Sequence, residues 1–223
     1  MPQQKNRKII FYISLFFIIG TLNNKNLDNI EFPKIDEIKI TGLSDAKNFE
    51  VSQKLESLKF YNLFFLKDFQ VKKLLNSFNY IDELSIFKKY PSSLNINLVE
   101  TSYLAVINRN ETEFFLGSNG KLIEFETSEE KLPYIFGNFK EDEFFRLKEI
   151  IDNTNFDYNR IKNLFFFPSG RWDLETNSGK LIKLPKQNLK ESFDIFLSLI
   201  EDENFKNAKI IDLRQSNQVV TDE

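Results

Sequence analysis

The 223-residue chain contains no cysteine and no histidine. Without cysteine there is no disulfide and no lipoprotein-type anchor, so an exported chain of this composition has to be held by its apolar cores. Without histidine the commonest general base and the commonest metal ligand are both missing. A zinc site would then need carboxylates alone, an improbable ligand set. No nucleophile elbow, glycine-rich phosphate loop or metal-ligand cluster is present. We therefore expect no enzyme, no cofactor, no metal and no small-molecule substrate. The net charge of −3 comes without a basic stripe carrying interleaved aromatics, which argues against nucleic acid as a partner. Glycine is scarce at 7 residues while phenylalanine reaches 25, a bias that fits AT-rich coding better than any chemistry.

What is present begins at the N-terminus. Lys5, Arg7 and Lys8 precede an apolar run from Ile9 to Leu22, and no acidic residue occurs before Asp28. A basic flank before a short apolar segment stays in the cytoplasm and sends the rest across the membrane. Fourteen helical residues rise about 21 Å against a hydrocarbon core of about 30 Å, so the segment is short. A cleaved signal peptide and a retained signal anchor compete. The end of the run, Ile19-Gly20-Thr21-Leu22-Asn23, lacks the small-residue cleavage pair, which favours retention. The expected layout is a cytoplasmic N-terminus over 1–8 and an anchor over 9–24, its apolar face including Ile9, Phe11, Leu15, Phe16, Ile19 and Leu22. A linker over 25–34 follows.

From Ile35 to Ile40 apolar and polar residues alternate as in a strand, and Gly42 stops the run. Val51, Leu55 and Leu58 share one helical face. Asp68 suits the start of a second helix carrying Val71, Leu74, Leu75 and Phe78. Leu84 and Ile86 alternate in a further strand; Tyr90-Pro-Ser-Ser93 makes a turn, and Leu94, Ile96 and Leu98 form the partner strand. The order is β-α-α-β-β over 35–104. The hairpin is antiparallel, and the first strand returns to its edge.

Beyond residue 105 the pattern is a mixed antiparallel β region with flanking helices, up to residue 220. Phe114–Leu116 and Leu122–Phe125 flank an Asn119-Gly120 turn. Lys140–Ile151 is an amphipathic helix, Ile161–Phe167 an apolar strand, and Gly170–Leu184 a second hairpin around Asn177-Ser-Gly179. Leu189, Phe193, Phe196, Leu197 and Ile200 line another helix. Lys209–Arg214 reads as the last strand, with a polar tail at 221–223. The fold class is α+β: one membrane-anchoring helix, a β-α-α-β-β module and a C-terminal β domain.

Four stretches carry a family resemblance. The hairpin Phe87-Lys-Lys-Tyr-Pro-Ser-Ser-Leu-Asn-Ile-Asn-Leu-Val-Glu100, the opening Ile38-Lys-Ile-Thr-Gly42, the stretch Gly170-Arg-Trp172 and the terminal Ile211-Asp-Leu-Arg214 resemble the FtsQ/DivIB cell-division family, whose first module is a POTRA domain. Leu184-Pro185 stands where the family often has Leu-Gly, and Gln215 where it often has an aromatic residue. The resemblance implies an essential bitopic scaffold in the inner membrane at the septum, single-pass type II, with its domains in the periplasm. It also implies that FtsB binds an edge strand near the C-terminus with FtsL alongside, bearing indirectly on the septal peptidoglycan synthases FtsW and FtsI. The POTRA part is implied to help recruitment to the septum.

The terminal strand is followed only by a polar tail, which would leave it at a sheet edge; on that expectation the partner contacts are Ile211, Leu213, Arg214, Gln215, Ser216, Val219 and Val220. Ile211→Pro or Val219→Glu should then abolish FtsB capture with the fold intact. Arg214 could instead pair with Asp212, and Trp172, the single tryptophan, suits a core better than a hot spot. Glu141-Asp-Glu143 suits the first turn of a helix rather than a hydrolytic carboxylate pair. Two rival readings are a signal-anchored periplasmic cell-wall enzyme and another POTRA-containing export or assembly protein. The latter would carry a long C-terminal β-barrel, for which the chain has no room.

Overall fold

The structure is a computed structural model describing residues 3–22, 32–124, 131–200, 202–205, 207–215 and 218–222; the side chains of 3–6, 21, 22 and 203 are outside that description. The chain divides into two compact units, Met1–Leu75 with Ser85–Asn97, and Asn76–Leu84 with Leu98–Glu223.

In the first unit, α1 (Gln3–Leu22) is 20 residues long. Ile9, Phe11, Leu15, Phe16 and Ile19 are all exposed along it. Its first turns are polar and basic, so only its later part is apolar. Among the described residues no helix is long and apolar enough to cross a membrane.

Strand β1 (Glu37–Thr41) leads into α2 (Asp45–Leu55), capped by the Ser44 hydroxyl, which accepts the Lys47 amide at 3.5 Å. A 3-10 turn (Glu56–Phe60) and α3 (Asp68–Leu75) follow. Asp68 is the first residue of that helix. The helix stops at Leu75, one turn short of the expected Phe78. Strands β2 (Ile81–Lys89) and β3 (Ser93–Glu100) complete a sheet of order β1-β3-β2, with β1 parallel to β3 from Glu37 opposite Ser93 to Thr41 opposite Asn97. Alternate residues of β3, Leu94 and Ile96, are buried, as are Val51, Leu55, Leu58, Val71 and Leu75 of the helical elements. This is the expected two-helix, three-stranded module. The stretch leading into it is tied down earlier than expected: Lys34 forms an antiparallel bridge with Asn62, and the Ile35 amide donates to the Tyr61 carbonyl at 3.0 Å.

The second unit holds a nine-stranded mixed sheet. Its strands are β4 (Tyr103–Arg109), β5 (Thr112–Gly117), β6 (Leu122–Glu124), β7 (Tyr134–Phe136), β8 (Ile161–Phe166), β9 (Trp172–Thr176), β10 (Leu181–Lys183), β11 (Ile210–Asp212) and β12 (Val220–Thr221). The spatial order is β12-β11-β10-β9-β8-β7-β4-β5-β6. Three pairings are parallel, β4 with β7, β7 with β8 and β10 with β11, so the sheet is less antiparallel than expected. Two of those pairings are bridged by helices, α4 (Glu141–Asp152) between β7 and β8 and α5 (Leu189–Ile200) between β10 and β11, as parallel crossovers require.

Phe144, Leu147 and Ile151 of α4 and Phe193 and Phe196 of α5 join Ile107, Leu116, Leu164, Leu174, Ile182 and Ile211 of the sheet in one core. Trp172 is buried there against Phe166, ring centroids 4.8 Å apart. The acidic run Glu141–Glu143 lies in the first turn of α4, where Glu143 accepts the Lys140 amide at 3.0 Å. Gly137, at φ +103, follows β7 so closely that a Cβ would sit 2.1 Å from the Phe166 carbonyl oxygen.

Candidate partner-binding edge

The C-terminal end of the sheet differs from the expectation in one decisive way. The strand Ile210–Asp212 is not an edge. It lies between β10, with Ile211 opposite Ile182, and β12, with Ile211 opposite Thr221 and Asp212 opposite Val220. Pairing with β10 extends past the strand, since the Leu181 amide donates to the Lys209 carbonyl at 2.7 Å and the Leu213 amide to the Lys183 carbonyl at 2.9 Å. Ile211 is 0% exposed and Leu213 is buried, so neither side chain meets a partner. Proline at Ile211 would break an interior strand and fill the core wrongly, so that substitution cannot leave the fold intact. The expected polar tail is also structured. Thr221 belongs to β12, and the Asp222 carboxylate accepts the Lys209 and Ile210 amides at 2.9 and 2.6 Å. Those two bonds hold its pKa below the ordinary carboxylate range.

The outermost strand is β12. Val219 and Val220 are 39% and 50% exposed, and Ile195 on α5 is 45% exposed. Val219 and Ile195 line a groove of about 710 Å³ with buried Leu213. Arg171, Lys186 and Arg214 give the groove three cations against one carboxylate, Glu191, among the described lining residues. Gln215 lines it too, whereas Ser216 lies outside the described residues.

Two of these cations are paired within the chain. Arg214 is clamped on Asp212 through Nε at 2.8 Å and through its terminal nitrogen, and the Arg214 amide adds a bond at 3.1 Å. The guanidinium bond lowers the Asp212 pKa and raises that of Arg214. The alternative weighed for Arg214, pairing with Asp212, is therefore realised. Arg171 stacks on the Phe167 ring at 4.1 Å and reaches the Asp173 carboxylate at 3.5 Å. Burial pushes Asp173 up, against the pull of Arg171.

At the opposite end of the sheet β6 is the edge, and it is partly closed. The Asn79 side chain donates to the Leu122 carbonyl at 2.8 Å, while Asn119 donates to the Asn79 and Ile81 carbonyls at 2.9 and 3.0 Å. Sequence reasoning missed β12 because Val220–Thr221 is too short for any alternation to register.

Comparison with known proteins places the two units. Residues 34–101 match the FtsQ-type POTRA domain, and residues 105–214 match the C-terminal domain of cell division protein FtsQ/DivIB. The chain belongs to the FtsQ/DivIB family of cell division proteins. Curated FtsQ proteins from Rickettsia bellii, Rhizobium meliloti and Agrobacterium fabrum are 22%, 20% and 20% identical to it over 191, 191 and 188 residues. These alignments take in 83%, 81% and 82% of this chain but 70%, 60% and 59% of the relatives. Among solved structures, the major extracytoplasmic domain of the trans isomer of DivIB from Geobacillus stearothermophilus is 14% identical, covering 48% of this chain and 97% of that one, with a TM-score of 0.34, too slight a likeness to argue from.

Proposed function

We propose that this FtsQ/DivIB-family protein is a non-catalytic scaffold of the division complex, tethered once in the inner membrane by α1, that captures FtsB on β12 and the adjoining groove. FtsL binds alongside, and the capture bears on septal peptidoglycan synthesis through FtsW and FtsI. The observation that supports this reading most is the state of β12: a two-residue outermost strand, with Val219 and Val220 exposed, beside a groove. An outermost strand offers backbone N–H and C=O groups to an incoming strand, and alternate side chains of that strand supply specificity. Arg171 and Arg214 are each paired with a carboxylate of this chain, so backbone pairing and apolar contact, more than charge, would recognise the incoming segment.

A glycan hydrolase would need two carboxyl groups facing one another across a cleft, whereas the described lining of this groove includes one. The membrane tether rests on the exposed apolar residues of α1 and its basic N-terminal flank. Two substitutions test the capture site. Val219→Glu and Val220→Glu should each abolish co-purification with FtsB while the melting temperature stays near that of the parent. Retained capture by both variants would refute the site.

A further inference from the structure

The first unit displays a group of aromatic rings on its surface. Phe32, Phe64, Phe65 and Tyr90 form one exposed cluster, with ring centroids 5.4 Å apart for Phe32–Phe64, 5.9 Å for Phe32–Phe65 and 4.7 Å for Phe64–Tyr90. Local structure builds the cluster on purpose. The Lys34–Asn62 bridge runs antiparallel, so its register sets Phe32 opposite Phe64. Asn62 fixes the following loop, its side-chain oxygen accepting the Phe64 amide at 2.8 Å and its carbonyl accepting the Phe65 and Leu66 amides at 3.2 and 3.0 Å. That loop sends Leu63 and Leu66 into the core and leaves Phe64 and Phe65 57% and 72% exposed. Lys34, Lys67 and Lys89 stand within two residues of Phe32, Phe65 and Tyr90, and all three are exposed; Asp68 is near as well, 3.9 Å from Lys88.

We propose that this cluster is a membrane-docking surface that seats the first unit in the interfacial layer of the bilayer holding α1. The inference rests on the tether reading above. Nine residues separate Leu22 from Phe32, so the ring cannot lie more than about 35 Å from the end of α1 even with the chain fully extended. Aromatic rings flanked by lysines are the side chains that partition into the headgroup–acyl boundary, and the cations favour anionic lipid there. Docking would fix how the first unit stands on the membrane without any partner protein.

The absence of cysteine makes a direct test simple. Single Phe16→Cys and Phe65→Cys variants of the full chain are labelled with an environment-sensitive fluorophore and reconstituted in phosphatidylethanolamine–phosphatidylglycerol vesicles. Lipids carrying a nitroxide near the headgroup should quench the Phe65 label at least twofold. The loss should be smaller in zwitterionic vesicles and when Phe32 and Phe64 are also changed to serine. Deep nitroxides should quench the Phe16 label. Quenching at Phe16 with none at Phe65 would overturn the docking surface and leave the tether standing; quenching at neither would overturn both. A Phe65 response seen only on adding FtsB and FtsL, or only as protein density rises, would assign the cluster to a partner or a second copy and reject the lipid.

Discussion

Strands β11 and β12 lie side by side, yet Ile211 in the first is completely buried while Val220 in the second is half exposed. β11 is held on both flanks by ladder bonds and joins the core of α4, α5 and the sheet. Among the described residues β12 has one neighbouring strand, and Val219 beside it lines the groove. The same few residues near the C-terminus thus divide into a part that makes the fold and an exposed part, the one proposed above for recognition. A partner strand added to β12 would extend the sheet without disturbing the core.

Substitutions can break that division. Ile211→Ala should lower the unfolding free energy by about 3 kcal/mol, the range for truncating a fully buried isoleucine, read as a shift in the urea midpoint. Gly137→Ala should cost on the order of 3 kcal/mol as well, through backbone strain and the clash with the Phe166 carbonyl, without touching the groove. Val220→Lys should change stability by no more than about 0.5 kcal/mol in the same titration while weakening partner capture. If Val220→Lys unfolds the chain, β12 is structural and the distinction collapses.

The carboxylates sharpen the comparison through pH. Arg214 holds Asp212 below its unfolded pKa, so its contribution is present above the unfolded value and lost as pH falls through the folded one. Asp173 works the other way: burial raises its pKa, so its contribution is present below the unfolded value and lost as pH rises through the folded one. Asp212→Asn should therefore shrink the loss of stability in acid, measured as melting temperature against pH below the ordinary carboxylate range. The smallest effect should come from Asp222→Ala, which removes the two acceptor bonds at the start of β11. Amide exchange at Ile210 should quicken while global stability barely moves.

Much of this architecture was legible in the residues. The alternation in Ser93–Glu100 and the helical spacing of Val51, Leu55 and Leu58 announced the β-α-α-β-β module, because each element buries one face. Two kinds of feature were not legible. β4 and β5 are joined at Asn110-Glu111, both at positive φ, a turn usually marked by glycine and here lacking it. The flanking of Lys209–Arg214 is the other, since alternation reports which side chains are buried and not how many strands flank a backbone. Phenylalanine misleads in the same way: Phe193 and Phe64 are the same residue in a phenylalanine-rich chain, and only the fold separates the core ring from the displayed one.

The most direct test is amide hydrogen exchange on the intact chain with and without the periplasmic segment of FtsB. The account predicts new protection confined to Val219–Thr221 and the residues lining the adjoining groove, with Leu122–Glu124 at the far edge unchanged. Protection at β6 with none at β12 would contradict it.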